Sequence, residues 1–165
     1  KEAEATNSLI DQGVDVITMH VDSPKVIIEI CEQRRIFSSG YHANQAVLAP
    51  KGYLTGAEWN WPKVYVDFVT WILEGKEIPH LFRGGLQQGV VKNSPYGPAV
   101  APETIQLAEA AREKFMAGEL VIYKGELKDN QGNVVIPSGE ALGQTDIKLE
   151  SMDYLVDGVI GSTGS

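Results

Sequence analysis

Val14-Asp15-Val16-Ile17-Thr18-Met19-His20 reads as a short buried strand, and Val21-Asp22-Ser23-Pro24 follows it as a turn that opens a helix. Asp22 or Ser23 suits the N-cap, and Pro24 suits the first helical position. Residues 24–34 then put Val26, Ile27, Ile30 and Cys31 on one helical face, and Ile36 to Tyr41 reads as a second strand. The order is β-α-β, and the connection is long enough for parallel pairing.

Working outward, residues 1–12 carry Ala3, Ala5, Leu9 and Ile10 at roughly helical spacing, with Gly13 where a C′ glycine belongs. His42 to Gly52 reads as a loop, and Tyr53 to Glu58 as a third strand ending in Trp59-Asn60-Trp61-Pro62. Pro62 opens a helix through about Leu73, closed by Gly75. That helix is apolar nearly all round, so it needs cover on most faces, which points to partner mass beyond this chain. Gly84 to Lys92 reads as strand and Pro102 to Ala117 as an amphipathic helix, with Glu103 near its positive end and Arg112 and Lys114 near its negative end. Leu120 to Lys128 and Asn133 to Ile136 flank Asp129-Asn130-Gln131-Gly132, a hairpin signal, and Ser151 to Ile160 reads as a short closing element. The expected class is an α/β lobe.

Composition narrows the function. The 165 residues hold 14 basic and 22 acidic side chains, net −8, with no Lys/Arg cluster, so nucleic acid is not an expected partner. One cysteine, Cys31, excludes an internal disulfide and a cysteine-based zinc site. Val64 to Leu73 is too short to span a bilayer. The opening Lys1-Glu2-Ala3-Glu4-Ala5 lacks Met and reads as mid-helix, so a fragment is expected.

Three strand ends could carry chemistry, because open α/β sheets bind ligands beyond the carboxyl ends of their strands. After the first strand, Asp22 puts a carboxylate at a helix N-terminus, which disfavours phosphate and suits a ligand edge rich in N–H or O–H donors. Ser23 and His20 stand beside it. Simple N-capping by Asp22 and a structural His20 are the alternatives. After the second strand, His42 and Asn44 sit in Tyr41-His42-Ala43-Asn44-Gln45; an amide suits a heterocycle edge, while an Asx turn is the plain alternative. After the third, Trp59 and Asn60, with Trp61, could stack on a flat ring and bond its edge, or anchor the following helix in the core. The histidines lack H-E-x-x-H spacing, no G-x-S-x-G elbow is present, and Gly84-Gly85 lacks a phosphate-loop ending. No enzyme, metal or cofactor is therefore expected; a small α/β hydrolase with Asp22 or His42 as base is the enzymatic alternative.

Several stretches together resemble the basic membrane protein (BMP) family of ABC-transporter substrate-binding proteins. Ala5 to Ile17 resembles its A-x-x-L-I-x-Q-G-A-D-V-I segment. So do His20 to Pro24, Leu54-Thr55 leading to Trp59-Asn60-Trp61, Gly85 to Lys92, Tyr123 to Gly132, and Ser151 to Val159. The resemblance implies a type I periplasmic-binding-protein lobe, mostly parallel and Rossmann-like, with a C-terminal hairpin. It implies that residues 1–165 are the C-terminal half of a two-lobed protein, with about 53–97 crossing to the N-terminal lobe, on which the 62–73 helix packs. It also implies capture of a purine base or nucleoside between lobes, delivery to an ABC permease, and a periplasmic or lipid-anchored location. Without that other lobe, the 62–73 helix is expected to drive self-association. The same fold as a ligand-sensing module is the alternative function. The chain departs from the nucleoside branch in three places. His42 and Asn44 replace two acids of its G-x-D-x-D-Q motif, Trp59 replaces a lysine, and Val21-Asp22-Ser23-Pro24 replaces a glycine-rich loop. These changes favour a bare base or another flat heterocycle over a full nucleoside.

Overall fold

The computed structural model describes residues 1–164, which divide into two units, Lys1–Ala110 and the residues from Ala111 onward. In the first unit, α1 (Glu2–Asp11) precedes β1 (Val16–Thr18), α2 (Lys25–Arg34), β2 (Phe37–His42), a 3-10 turn at Ala46–Leu48, β3 (Tyr53–Trp59), α3 (Trp61–Leu73) and β4 (Val91–Asn93). The sheet order is β1-β2-β3-β4. β1, β2 and β3 are parallel, as the β-α-β reading expects, and β4 runs antiparallel to β3 with Trp59 opposite Val91.

Gly13 takes a φ of +92° as α1 ends, the left-handed conformation that costs glycine nothing. α2 ends differently, on Arg35 at φ 59°, ψ 38°. Ile10, Ile17, Ile27 and Cys31 join α1, β1 and α2 in one buried cluster, flanked by Val14, Met19, Val26 and Ile36. Burial of such aliphatic side chains contributes about 1.5–3 kcal/mol each. Met19 also touches a second cluster of Ile28, Ala49 and Tyr53.

Tyr53 is fully buried, and its hydroxyl lies 3.2 Å from Ser94 Oγ. Space for the phenol comes from two glycines facing each other across β2 and β3, Gly40 and Gly56. A β-carbon on either would run into the Tyr53 hydroxyl. Gly97 is equally constrained, because a β-carbon there would overlap the Tyr53 carbonyl oxygen.

In this first unit two strands are shorter than their sequence pattern. β1 covers Val16–Thr18 rather than residues 14–20. The expected strand over Gly84 to Lys92 is paired only from Val91. Ahead of it the chain turns: Gly85 N–H donates to Gln88 Oε1 (2.9 Å), Val90 N–H to Gly85 O (3.0 Å), and Gly89 has φ +70°. Three glycines offer no side chain to pack on a pleated surface, so local turn bonds win.

α3 buries Val64 alone. Phe68 and Trp71 pack their rings against Phe82. Trp61, Tyr65, Val66, Val69, Ile72 and Leu73 are exposed, so within this unit the apolar helix has no cover on that side. Asn60 N–H donates to Val90 O (2.7 Å), and Asn60 Nδ2 donates to Gly89 O (2.9 Å). These two bonds close the neck of the excursion that carries α3.

In the second unit, β5 (Tyr123–Lys124) pairs with β8 (Ala141–Leu142), and β6 (Leu127–Lys128) pairs with β7 (Val134–Ile136), both antiparallel. The expected hairpin therefore forms around Asp129 to Gly132, but its first arm, read as Leu120 to Lys128, breaks into β5 and β6, which pair with different strands. α4 (Pro102–Met116) contains the point of division between the units. Ser151 to Ile160 forms no helix or strand; it meets the hairpin through a bridge between Asp129 and Val156 and through Asn130 Nδ2, which donates to Val159 O (3.2 Å). Among the described residues, no helix is long and apolar enough to cross a membrane.

Candidate functional site

The carboxyl ends of β1, β2 and β3 lie side by side, and each delivers an aromatic ring. His20 follows β1, Tyr41 and His42 end β2, and Trp59 ends β3. The rings form a continuous row. His20 meets Tyr41 edge-on at 4.3 Å between centroids, Tyr41 meets His42 at 4.0 Å and Trp59 at 6.3 Å. Trp59 meets Trp61 at 5.9 Å, and Trp61 stacks on Tyr65 at 6.0 Å. Successive side chains of a regular strand point to opposite faces. The close approach of Tyr41 and His42 therefore needs a break in the pleat. His42 supplies it with a φ of 77°, which swings its ring to the Tyr41 side. An L-residue adopts that conformation at a cost of about 1–2 kcal/mol.

Beside the row, Asp22, Ser23, Pro24, Lys25, Val26, Glu29 and Gln45 line an open hollow of about 400 Å³. Pro24 itself occupies the N-cap of α2, and no side chain caps that helix. The expected capping by Asp22 or Ser23 does not occur, because the helix starts one residue later than the proline rule suggests. The Asp22 carboxylate and the Ser23 hydroxyl are both exposed and uncommitted to the helix. Gln45 ties the hollow to the ring row, since its Nε2 donates to Tyr41 O (3.2 Å).

The seven residues expected from sequence thus divide. His20, His42 and Trp59 stand in the row, and Asp22 and Ser23 line the hollow. Asn44 accepts the Ala46 N–H (3.0 Å) in an Asx turn, which was its plain alternative. Asn60 has its amide nitrogen engaged at the Gly89 carbonyl. Trp61, read from sequence as a second stacking ring beside Trp59, also stands in the row, while Tyr41, Gln45 and Tyr65 extend the constellation beyond the expected set. Tyr41 was readable as a strand-end aromatic, whereas Gln45 enters only through the path of the loop.

Among the described residues, Ser38 Oγ, Gln45 Oε1 and Glu58 Oε1 are buried without a hydrogen-bond partner. Glu58 is 7% exposed, and its other oxygen lies 3.2 Å from Lys92 Nζ. No group of three His, Cys, Asp or Glu side chains suited to a metal ion occurs among the described residues. The arrangement offers flat faces, carboxylate and amide edges, and no nucleophile paired with a base. Flat faces and polar edges of this kind suit stacking on a planar ring.

Comparison with known proteins gives a consistent answer. Residues 1–126 match the family model described as ABC transporter substrate-binding protein, PnrA-like. A purine-binding protein of Brucella abortus (strain 2308) is 32% identical over 159 residues, 96% of this chain and 44% of that protein. A Haloferax volcanii protein that carries the name of an ABC transporter glucose-binding protein is 27% identical over 162 residues, 98% of this chain and 38% of its own length. The chain therefore spans less than half the length of the curated relatives it matches. Among solved structures, a transcriptional activator of the comK gene from Bacillus halodurans superposes with a TM-score of 0.65 at 24% identity, over 68% of this chain and 40% of the other. An ABC transporter solute-binding protein from Conexibacter woesei gives 0.56 at 17% identity, over 73% and 41%. Both likenesses speak to the fold, a mostly parallel sheet flanked by helices. The family is one of transport-associated binders rather than enzymes. With the match covering most of its length, this chain belongs to the Bmp family of PnrA-like ABC transporter substrate-binding proteins.

Proposed function

We propose that this chain is the C-terminal half of the substrate-binding component of an ABC importer, and that it holds a flat, purine-like heterocycle at the carboxyl ends of β1, β2 and β3. The observation that carries this reading is the row of His20, Tyr41, His42 and Trp59 across three adjacent strand ends, continued by Trp61 and Tyr65 on α3. Stacking on such rings is worth about 1–3 kcal/mol per base and tolerates base identity. Asp22, Ser23 and Gln45 supply polar groups for the edge of the ring. A phosphate-bearing ligand would meet the carboxylates of Asp22 and Glu29, the latter already paired with Lys25, which favours an uncharged base or nucleoside as cargo.

Family membership supports the transport role, an ABC permease as partner, and a location outside the cytoplasm, either periplasmic or lipid-anchored. The name of the Brucella relative supports a purine. That of the Haloferax relative makes a sugar the second reading, since a sugar ring also lies flat on an indole. The exposed side of α3 fits a surface that the N-terminal lobe covers. Without it, the helix drives self-association.

Titration calorimetry on the whole protein that carries this chain decides among these. Adenine, guanine, adenosine, inosine and glucose form the panel. Heat from a purine and none from glucose is the expected result. Binding of glucose alone transfers the site to sugars, and no heat from any of the five removes the ligand assignment.

A further inference from the structure

β2 runs from Phe37 to His42, and its two ends have different surroundings. The ring row occupies the carboxyl end, at His42. At the amino end, Phe37 stands with Glu32, Arg35, Lys51 and Gly52 around a pocket of about 210 Å³. A strand rises about 3.3 Å per residue, so roughly 17 Å of β2 separates the two places. Pockets for drug-sized molecules hold about 300–1,000 Å³, so only a small occupant fits here.

Local chemistry builds the walls. α2 ends on Arg35 in a left-handed conformation, φ 59° and ψ 38°, which favours glycine. From there the chain enters β2 at once, which sets Arg35 and Phe37 on one hollow. Opposite them, the Gly52 N–H donates to Glu32 Oε2 (2.9 Å) and the Lys51 N–H to Glu32 Oε1 (3.3 Å). Glycine permits this approach, since a β-carbon on residue 52 would stand 3.1 Å from both Glu32 Oε2 and Ile36 O. The Glu32 carboxylate is thus committed to the backbone. The two cations are not. Among the described residues, the Arg35 guanidinium and the Lys51 ammonium make no hydrogen bond and no ion pair. Beside them the Phe37 side chain is left 41% exposed. Arg35 therefore holds a costly backbone position without a polar contact that repays the fold. Backbone outliers of this kind concentrate at ligand sites.

We propose that this pocket is a second ligand site, which takes a small monoanion bearing its carboxylate on a flat apolar ring. Arg35 offers the planar fork that matches a carboxylate, Lys51 adds a point charge, and Phe37 gives the ring a face. With Arg35 and Lys51 positive and Glu32 negative, the lining carries one net positive charge. That balance matches a monoanion and disfavours a phosphate dianion. The site shares no residue with the ring row or with the hollow at Asp22, so it stands apart from the heterocycle reading.

The test titrates sodium benzoate into the ¹⁵N-labelled whole protein that carries this chain and follows its amide resonances. Saturable shifts centred on residues 35–37 and 51–52 are expected. Benzyl alcohol lacks the charge and inorganic phosphate lacks the ring, so each should bind at least about tenfold more weakly. Arg35→Gly should weaken benzoate by about tenfold or more while the melting midpoint holds or rises. An arginine that serves only the carbonyl end of α2 would leave benzoate binding unchanged, and that result overturns the proposal. Lys51→Gln should show a similar loss, which keeps the question decidable if one variant fails to fold. Shifts that do not saturate, or that centre on Tyr41 and Trp59, overturn the site. Phosphate binding as tightly as benzoate overturns the assignment to a ring-bearing carboxylate.

Discussion

The Tyr53 hydroxyl and Ser94 Oγ meet 3.2 Å apart with both side chains buried, joining β3 to the segment just beyond β4. Either can donate, and removing one leaves the other in a low-dielectric interior. Tyr53→Phe and Ser94→Ala should each cost about 1–3 kcal/mol, read from urea unfolding. The double variant should cost clearly less than the sum, since it leaves no orphan behind. Strict additivity would show that the two hydroxyls do not interact. Gly56→Ala should be worse than either, because its methyl group meets the Tyr53 hydroxyl.

Trp59 and Trp71 make an internal comparison. Trp59 lies in the ring row at the strand ends, while Trp71 packs on Phe68 and Phe82. Trp59→Ala in the whole protein should weaken purine binding by about 1–3 kcal/mol. Trp71→Ala should lower the melting temperature and leave the dissociation constant nearly unchanged. Equal effects of the two on calorimetric affinity would remove Trp59 as a platform.

Arg35 terminates α2 in a left-handed conformation, φ 59°. Glycine adopts it without the steric penalty that a β-carbon brings. Arg35→Gly should therefore stabilise the protein by about 0.5–1 kcal/mol, seen as a higher urea midpoint. A lower midpoint would mean that the arginine side chain contributes more than its backbone costs.

Asp129 anchors the β6–β7 turn. It accepts from Asn133 Nδ2 (2.9 Å) and from the backbone N–H groups of Gln131 (2.9 Å) and Asn133 (2.8 Å). These bonds, the Asn133 side chain foremost, hold its carboxyl below the ordinary aspartate value, against the opposing effect of burial. A depressed carboxylate contributes its full stabilisation above the unfolded value and loses it as pH falls through the folded one. Protection factors of the Gln131 and Asn133 amides, exchange rates corrected for the intrinsic pH dependence, should fall on acidification through that window. In Asp129→Asn they should be lower at neutral pH and unchanged over the same range, a pattern that hydrogen exchange with residue resolution reads directly.

Much of this architecture is written in local patterns. The β-α-β start follows from an apolar strand, a proline-opened helix and a second strand, and the antiparallel hairpin from Asp129-Asn130-Gln131-Gly132. What could not be read depends on chain meeting chain. Glu58 looks like a solvated residue at a strand end until Lys92 arrives on β4. His42 carries no glycine to announce a left-handed turn, although histidine is among the residues enriched there. Asp22 sits where a capping residue belongs, yet the helix begins on Pro24 and leaves the carboxylate for other work. Asn44 and Asn60 went the opposite way, into backbone contacts. An amide at a strand end suits a ligand and a turn equally, and only the path of the loop chooses.

The neck at Asn60 and Val90 makes the intervening stretch modular. Trp59 and Val91 already face each other in antiparallel register, so an Asn-Gly turn spliced directly between them would convert β3 and β4 into a plain hairpin. Such a miniature would retain the ring-bearing strand ends while shedding the greasy helix. That would make the sheet a separable platform on which recognition can be engineered independently of transport.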